Sequence, residues 1–314
     1  MNNLIFSINA TFPVFLTMAA GMLFKKMGLM DENFASKLNK FVFTAALPAL
    51  LFEDLSEVSF SQVWDIKFVL FCFGITAVSI LLLVVFSIFF VKKEDRGEFV
   101  QGSYRSSAAL LGIAFIQNIY GNSGMAPLMI VATVPLYNVA AVLILSLMNP
   151  KQGKIDGSAL KKACKGVCTN PIIWGILAGV LWSLTGLTMP VVVMKTIHNV
   201  GILATPLGLM SIGASFEGRK ALAKVKLTVI CALIKLVGLV AIGAPLAIYF
   251  GFITEKLVAI LVMLGSATTV SSYIMAKNMD HDGTLSASVI MLTTLLSAVT
   301  LTGWLYLFKS MGYV

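Results

Sequence analysis

Charge is what this 314-residue chain has least of: Asp, Glu, Lys and Arg together make 12% of it, against 58% hydrophobic residues and a mean hydropathy of +0.93. A soluble domain of that length could not cover its surface with so few charges, so the composition calls for a polytopic membrane protein whose first partner is the lipid bilayer. Cysteine is sparse too. Cys72, Cys164, Cys168 and Cys231 form no disulfide framework. Cys164 and Cys168, four positions apart in a basic loop, have no His or further Cys beside them to complete a zinc site. HExxH and GxSxG are absent, and Gly121-Asn122-Ser123-Gly124 reads as an ordinary turn rather than a serine-protease motif. The sequence therefore points to no enzyme, no catalytic residue, no metal and no cofactor. The net charge of +9 does not signal nucleic acid either, because the basic residues gather in short loops instead of interleaving with aromatics on one face. Finally, no Asp or Glu falls in the interior of an apolar segment, which argues against a carboxylate proton relay and a charge-rich sodium site.

What is present is a sequence of apolar segments, each near the roughly 20 residues that cross a bilayer. Ten spans are expected, at about 4–26, 36–54, 67–91, 99–120, 125–148, 171–189, 191–216, 225–250, 255–277 and 284–308. The first is too long and too Pro-interrupted for a simple signal peptide and reads as a retained span. Most of the 23 basic residues lie in the loops after spans 1, 3, 5, 7 and 9, while the opposite side holds only Lys67, Lys256 and Lys309. By the positive-inside rule both termini face outward and the cell membrane is the expected location.

The first half of the chain also reappears in the second. Pro13, Ala20, Gly21, Leu23, Gly28, Leu29 and Pro48 recur 158 positions later as Pro171, Ala178, Gly179, Leu181, Gly186, Leu187 and Pro206. This divides the chain into a first five-helix repeat (1–148), a cytoplasmic linker (149–170) and a second repeat (171–314). Five is odd, so the halves must be inserted upside down relative to each other. The fold class that follows is an all-α membrane protein of ten helices in a 5+5 inverted repeat. Such repeats mark secondary transporters, with the substrate site at the repeat interface near the midplane.

Spans 4 and 9 are the polar ones. Span 4 carries Arg105, Ser106, Ser107, Gly112 and Asn118, and span 9 carries Gly265, Ser266, Thr268, Thr269 and Ser271. An offset of 160 lays Ser106 on Ser266. Hydroxyl residues can rebond freed backbone groups and glycine gives conformational licence, so both spans are expected to be broken at a shared crossing; close packing of small residues is the alternative. Asn138 in span 5 and Asn199 in span 7 either coordinate a ligand or bond a neighbouring helix. Lys235 sits deep in span 8 with no visible partner, a functional candidate by default. Intramembrane charge is thus positive, and half-helix N-termini add positive dipole ends, which suits an anion.

These residues resemble the auxin efflux carrier family nearly end to end. The likeness rests on Leu47-Pro48-Ala49-Leu50-Leu51-Phe52, on Ala204-Thr205-Pro206-Leu207-Gly208-Leu209 and on Thr294-Leu295-Leu296-Ser297-Ala298-Val299-Thr300-Leu301. The family pattern of span 4 is met at Arg105 and Gly112, while Ser106, Ser107, Ala109 and Ala114 replace its Gly, Asn, Gly and Pro, and Ala267 stands where span 9 would carry a crossover proline. The resemblance implies a permease that moves a small organic anion, such as a dicarboxylate, between two crossing broken helices. It also implies a scaffold of spans 1, 2, 6 and 7 beside a core of spans 3–5 and 8–10. Two other readings stay open: a sodium-coupled organic-anion symporter of the bile-acid type, and a ligand sensor that binds without transport. The coupling ion, proton or sodium, and a homodimer stay open as well.

Overall fold

The computed structural model describes residues 2–56, 65–108, 113–121, 124–150 and 157–314. Its described residues are helical and include no strand. Continuous apolar composition makes helix the natural state, because a helix satisfies its own backbone polar groups. Polar caps set where several helices begin. Asp31 accepts from Phe34 N at 2.6 Å ahead of α2 (Glu32–Phe41), Asp65 accepts from Phe68 N at 3.1 Å ahead of α4 (Ile66–Phe90), and Asn170 accepts from Ile172 N at 2.9 Å ahead of α9 (Pro171–Thr185). Among the described residues, five helices are long and apolar enough to cross a membrane, or six if one bent pair counts as a single span. Within the expected linker, 149–170, lies a helix of its own, α8 (Gly157–Thr169).

Among the helices that pack at backbone distance are α1 (Asn2–Lys26) on α11 (Ala204–Ser215) and α3 (Leu47–Ser56) on α9. Glycine makes both possible. A Cβ on Gly179 would stand 2.7 Å from the carbonyl oxygen of Phe52, and one on Gly21 would collide with the carbonyl of Met210. Gly21 and Gly179 are repeat mates at an offset of 158, and so are Phe52 and Met210. The two contacts are therefore one contact made twice. The repeat mates Gly28 and Gly186 agree as well: each follows its helix in left-handed backbone, at φ 76° and 66°.

The other helices enclose two short ones. Every residue of Gly97–Tyr104 in α5 (Arg96–Tyr104) and of Leu257–Gly265 in α15 (Glu255–Gly265) is buried. By contrast α4 shows Leu70, Leu81, Leu82, Phe89 and Phe90 on its outer face, as a lipid-facing helix would. A buried carboxylate ties α5 to α17 (Thr284–Ser310): Glu98 accepts from Gly283 N and Ser286 N at 2.8 Å each and from the Ser286 hydroxyl at 3.0 Å. It satisfies the open N–H groups at the start of a 27-residue helix.

Candidate functional site

Both short buried helices end abruptly. After α5 the chain runs extended through Arg105 (φ −78°, ψ 123°), and after α15 it does so from Ser266 (φ −75°, ψ 164°). Helix resumes as α6 (Ile113–Tyr120) and α16 (Ser271–Asn278). The two interruptions touch: Ser107 N donates to Ala267 O at 2.9 Å. Ser107 and Ala267 stand 160 positions apart, the offset that lays Ser106 on Ser266.

A helix that stops leaves its last carbonyls open. Here each half supplies the caps of the other. The Thr268 hydroxyl donates to Gly102 O at 2.7 Å, and the Ser106 hydroxyl donates to Met263 O, which Tyr137 also reaches at 3.3 Å. Lys235 bridges both ends, donating to Tyr104 O at 3.2 Å, to Leu264 O at 2.8 Å and to the Ser106 hydroxyl. The lysine expected to lack a partner thus has three. It is wholly buried and stands on a π-helical turn, Ile234–Gly238, between α13 (Val225–Leu233) and α14 (Leu239–Tyr249).

Beside the crossing lies a cavity of about 220 Å³. Arg105, Ser106, Ser107, Asn138, Thr268, Thr269 and Ser271 all line it. Arg105 is 3% exposed, and its Nη2 donates to Asn138 Oδ1 at 2.6 Å while its Nη1 points at Met275 Sδ at 2.8 Å. Asn138 is aimed in turn by its own Nδ2, which donates to Val134 O at 2.8 Å in α7 (Ala126–Leu147). Turning the Gln101 amide lets its oxygen accept from Arg105 Nη1 at 3.1 Å and its nitrogen donate to Ser272 O at 3.2 Å. Ser271 opens α16 at the cavity wall, so the positive end of that helix faces the same space. The remaining wall is largely apolar, with Val14, Leu47, Leu50, Leu51, Val134 and Ile274.

Not every sequence candidate gathers here. Gly265 and Ser266 do not line the cavity. Gly265 admits close packing, since a Cβ there would meet Val240 at 2.6 Å, and Ser266 is buried with its hydroxyl unpartnered. Asn199, in α10 (Val191–Gly201), is exposed and apart from the site. Gly112 lies outside the described residues, and Asn118 falls in α6 with its side chain outside them. Two carboxylates at the edges of the expected spans are drawn inward: Asp54 of α3 lines the cavity, and Glu98 is fully buried at its cap, where it accepts from backbone N–H groups. Sequence reasoning also missed Tyr137 and Thr294 as lining residues. Tyr137 directly precedes Asn138, and that polar pair in an apolar helix was the available signal.

A second cavity lies beyond α16, lined by Lys25, Glu32, Ser36, Asn39, Ser215, Glu217, Lys277 and Asn278. Ile274 faces the first cavity and Asn278, one turn on, the second. Between the elements, Asn278 Nδ2 donates to Asn39 O at 3.3 Å.

Comparison with known proteins adds a family to this geometry. The family described as membrane transport protein matches residues 6–305. An uncharacterized transporter of Methanothermobacter thermautotrophicus is 24% identical over 308 residues, covering 95% of this chain and 97% of its own. The uncharacterized transporter YfdV of Escherichia coli K12 is 26% identical over 238 residues, 68% of this chain and 71% of its own.

Proposed function

Because the chain belongs to the membrane transport protein family, that of the auxin efflux carriers, we propose that it is a secondary active carrier. It moves a small organic anion, such as a dicarboxylate, across the cell membrane by alternating access. The observation that carries the substrate class is Arg105: a guanidinium held by Asn138, in a cavity where two interrupted helices meet. Arg105 takes the anion's charge, while Ser107, Asn138, Thr269 and Ser271 offer it hydrogen bonds. Ser106 and Thr268, whose hydroxyls are spent on Met263 O and Gly102 O, set the position of the others.

The reading carries an architecture with it: ten spans in two inverted halves, 1–148 and 171–314, crossing at the Ser107–Ala267 bond. The duplicated glycine contacts of Gly21 and Gly179 and the contact of Ser107 with its own repeat mate support that two-fold relation. Both termini then lie outside, the first cavity opens toward that side and the second toward the cytoplasm. Alternating access exchanges the two by moving α5, α15 and α16 against α1, α3, α9 and α11. Binding tests the site directly. In detergent, malate raises the unfolding temperature of the wild type, whereas Arg105→Ala binds it roughly 30- to 150-fold more weakly, a loss of about 2–3 kcal/mol for a charged hydrogen-bond partner. Equal stabilisation of both proteins would remove Arg105 from the site.

A further inference from the structure

We propose that the ammonium of Lys235 is a resident cation standing in a monovalent-cation site, so that this carrier needs no sodium at its crossing. Three oxygens converge on Nζ: Tyr104 O at 3.2 Å, Leu264 O at 2.8 Å and the Ser106 hydroxyl. An ammonium has three hydrogens and no acceptor, so the three contacts use it completely. Among the described residues no carboxylate forms an ion pair with it. Its countercharge is instead the negative ends of two helices, α5 and α15, which terminate at these carbonyls. Carbonyls at half-helix C-termini together with a hydroxyl are also what hold alkali cations in broken-helix transporters. The lysine is 0% exposed and tethered to a π-helical turn, so it cannot exchange with the solution as a free ion does. A sodium-coupled symporter would need such a site vacant.

The consequence for coupling rests on the carrier reading, but the site does not, and it can be tested without substrate. Purified protein is unfolded thermally in sodium chloride and in choline chloride at matched ionic strength. Wild type shows the same unfolding temperature in both. Lys235→Ala unfolds at a lower temperature in choline. Sodium then restores a saturable rise of about 3 °C, and ethylammonium, which refills the vacated charge, does the same. Lys235→Gln, which is shorter and keeps polar atoms near the carbonyls, is the second variant and shows the same selective response to sodium. A sodium-specific rise in the wild type would overturn the proposal. So would variants that respond to neither sodium nor ethylammonium. In proteoliposomes, wild-type uptake is equal with either salt and the variants become sodium-dependent. If no flux is seen at all, the carrier reading fails while the stability result still stands.

Discussion

In the proposed anion site, Arg105 and Asn138 divide the work between charge and aim. The guanidinium supplies the attraction, and the amide, itself fixed to Val134 O, removes the freedom of a long side chain. Asn138→Ala should therefore keep the charge and lose its placement, raising the KM for anion uptake about tenfold with little loss of unfolding temperature. An unchanged KM would show that Asn138 does not orient Arg105. Outside the spans, Asp65 offers a pH-dependent case. Lys256 donates to it at 2.6 Å and, with the Phe68 N–H, holds its carboxyl below the usual carboxylate range. A carboxyl lower in the folded than in the unfolded state stabilises at neutral pH, and that stabilisation is lost as the pH falls through its folded value. Asp65→Asn should lower the unfolding temperature at neutral pH, and the gap to wild type should narrow as acidification passes below the usual carboxylate range. Of these residues, Arg105 and Asn138 could be singled out from the sequence as polar groups in apolar segments. The partners of Lys235 could not, because carbonyl oxygens are present at every residue and only the fold shows which are left open.

At the level of elements, glycine contacts and one carboxylate cap hold the arrangement. Gly21→Val and Gly179→Val each drive side-chain atoms into the carbonyl of a facing helix, Met210 or Phe52. Each should cost about 2–4 kcal/mol, seen as a fall of several degrees in unfolding temperature, and the two costs should be similar because the contacts are repeat equivalents. A large effect at one and none at the other would break that equivalence. Glu98→Ala leaves the Gly283 and Ser286 N–H groups buried without an acceptor, a loss of about 3 kcal/mol; Glu98→Gln, which keeps one carbonyl oxygen as acceptor, should lose less. Anion affinity should be unchanged in the folded fraction of either variant. Element positions were largely legible: hydropathy places α4, α7 and α17 within a few residues of where they lie. The helix interruptions after Tyr104 and after Gly265 were legible from the hydroxyl residues that follow them, Ser106 and Ser107 in one case and Ser266, Thr268 and Thr269 in the other. Glu98 was not, because nothing local distinguishes a carboxylate capping a distant helix from one at a membrane surface. The reason for Gly265 was also hidden, since it answers to Val240 of α14 rather than to its own backbone.

Over the whole molecule, two interrupted helix pairs converge on one point, where Ser107 meets Ala267 beside a cavity that Arg105 lines. The sequence offsets of 158 and 160 pair like residues, yet they cannot say which of them touch; that depends on how the segments are folded against each other. On the proposed function, this crossing carries an organic anion across the membrane. Uptake of radiolabelled malate into proteoliposomes preloaded with unlabelled malate tests it most directly, with wild type beside Arg105→Ala. Wild-type exchange that saturates, is competed by other small dicarboxylates and drops at least tenfold in Arg105→Ala is the predicted result. Exchange equal in wild type and Arg105→Ala, or none in wild type across a panel of mono- and dicarboxylates, would contradict it.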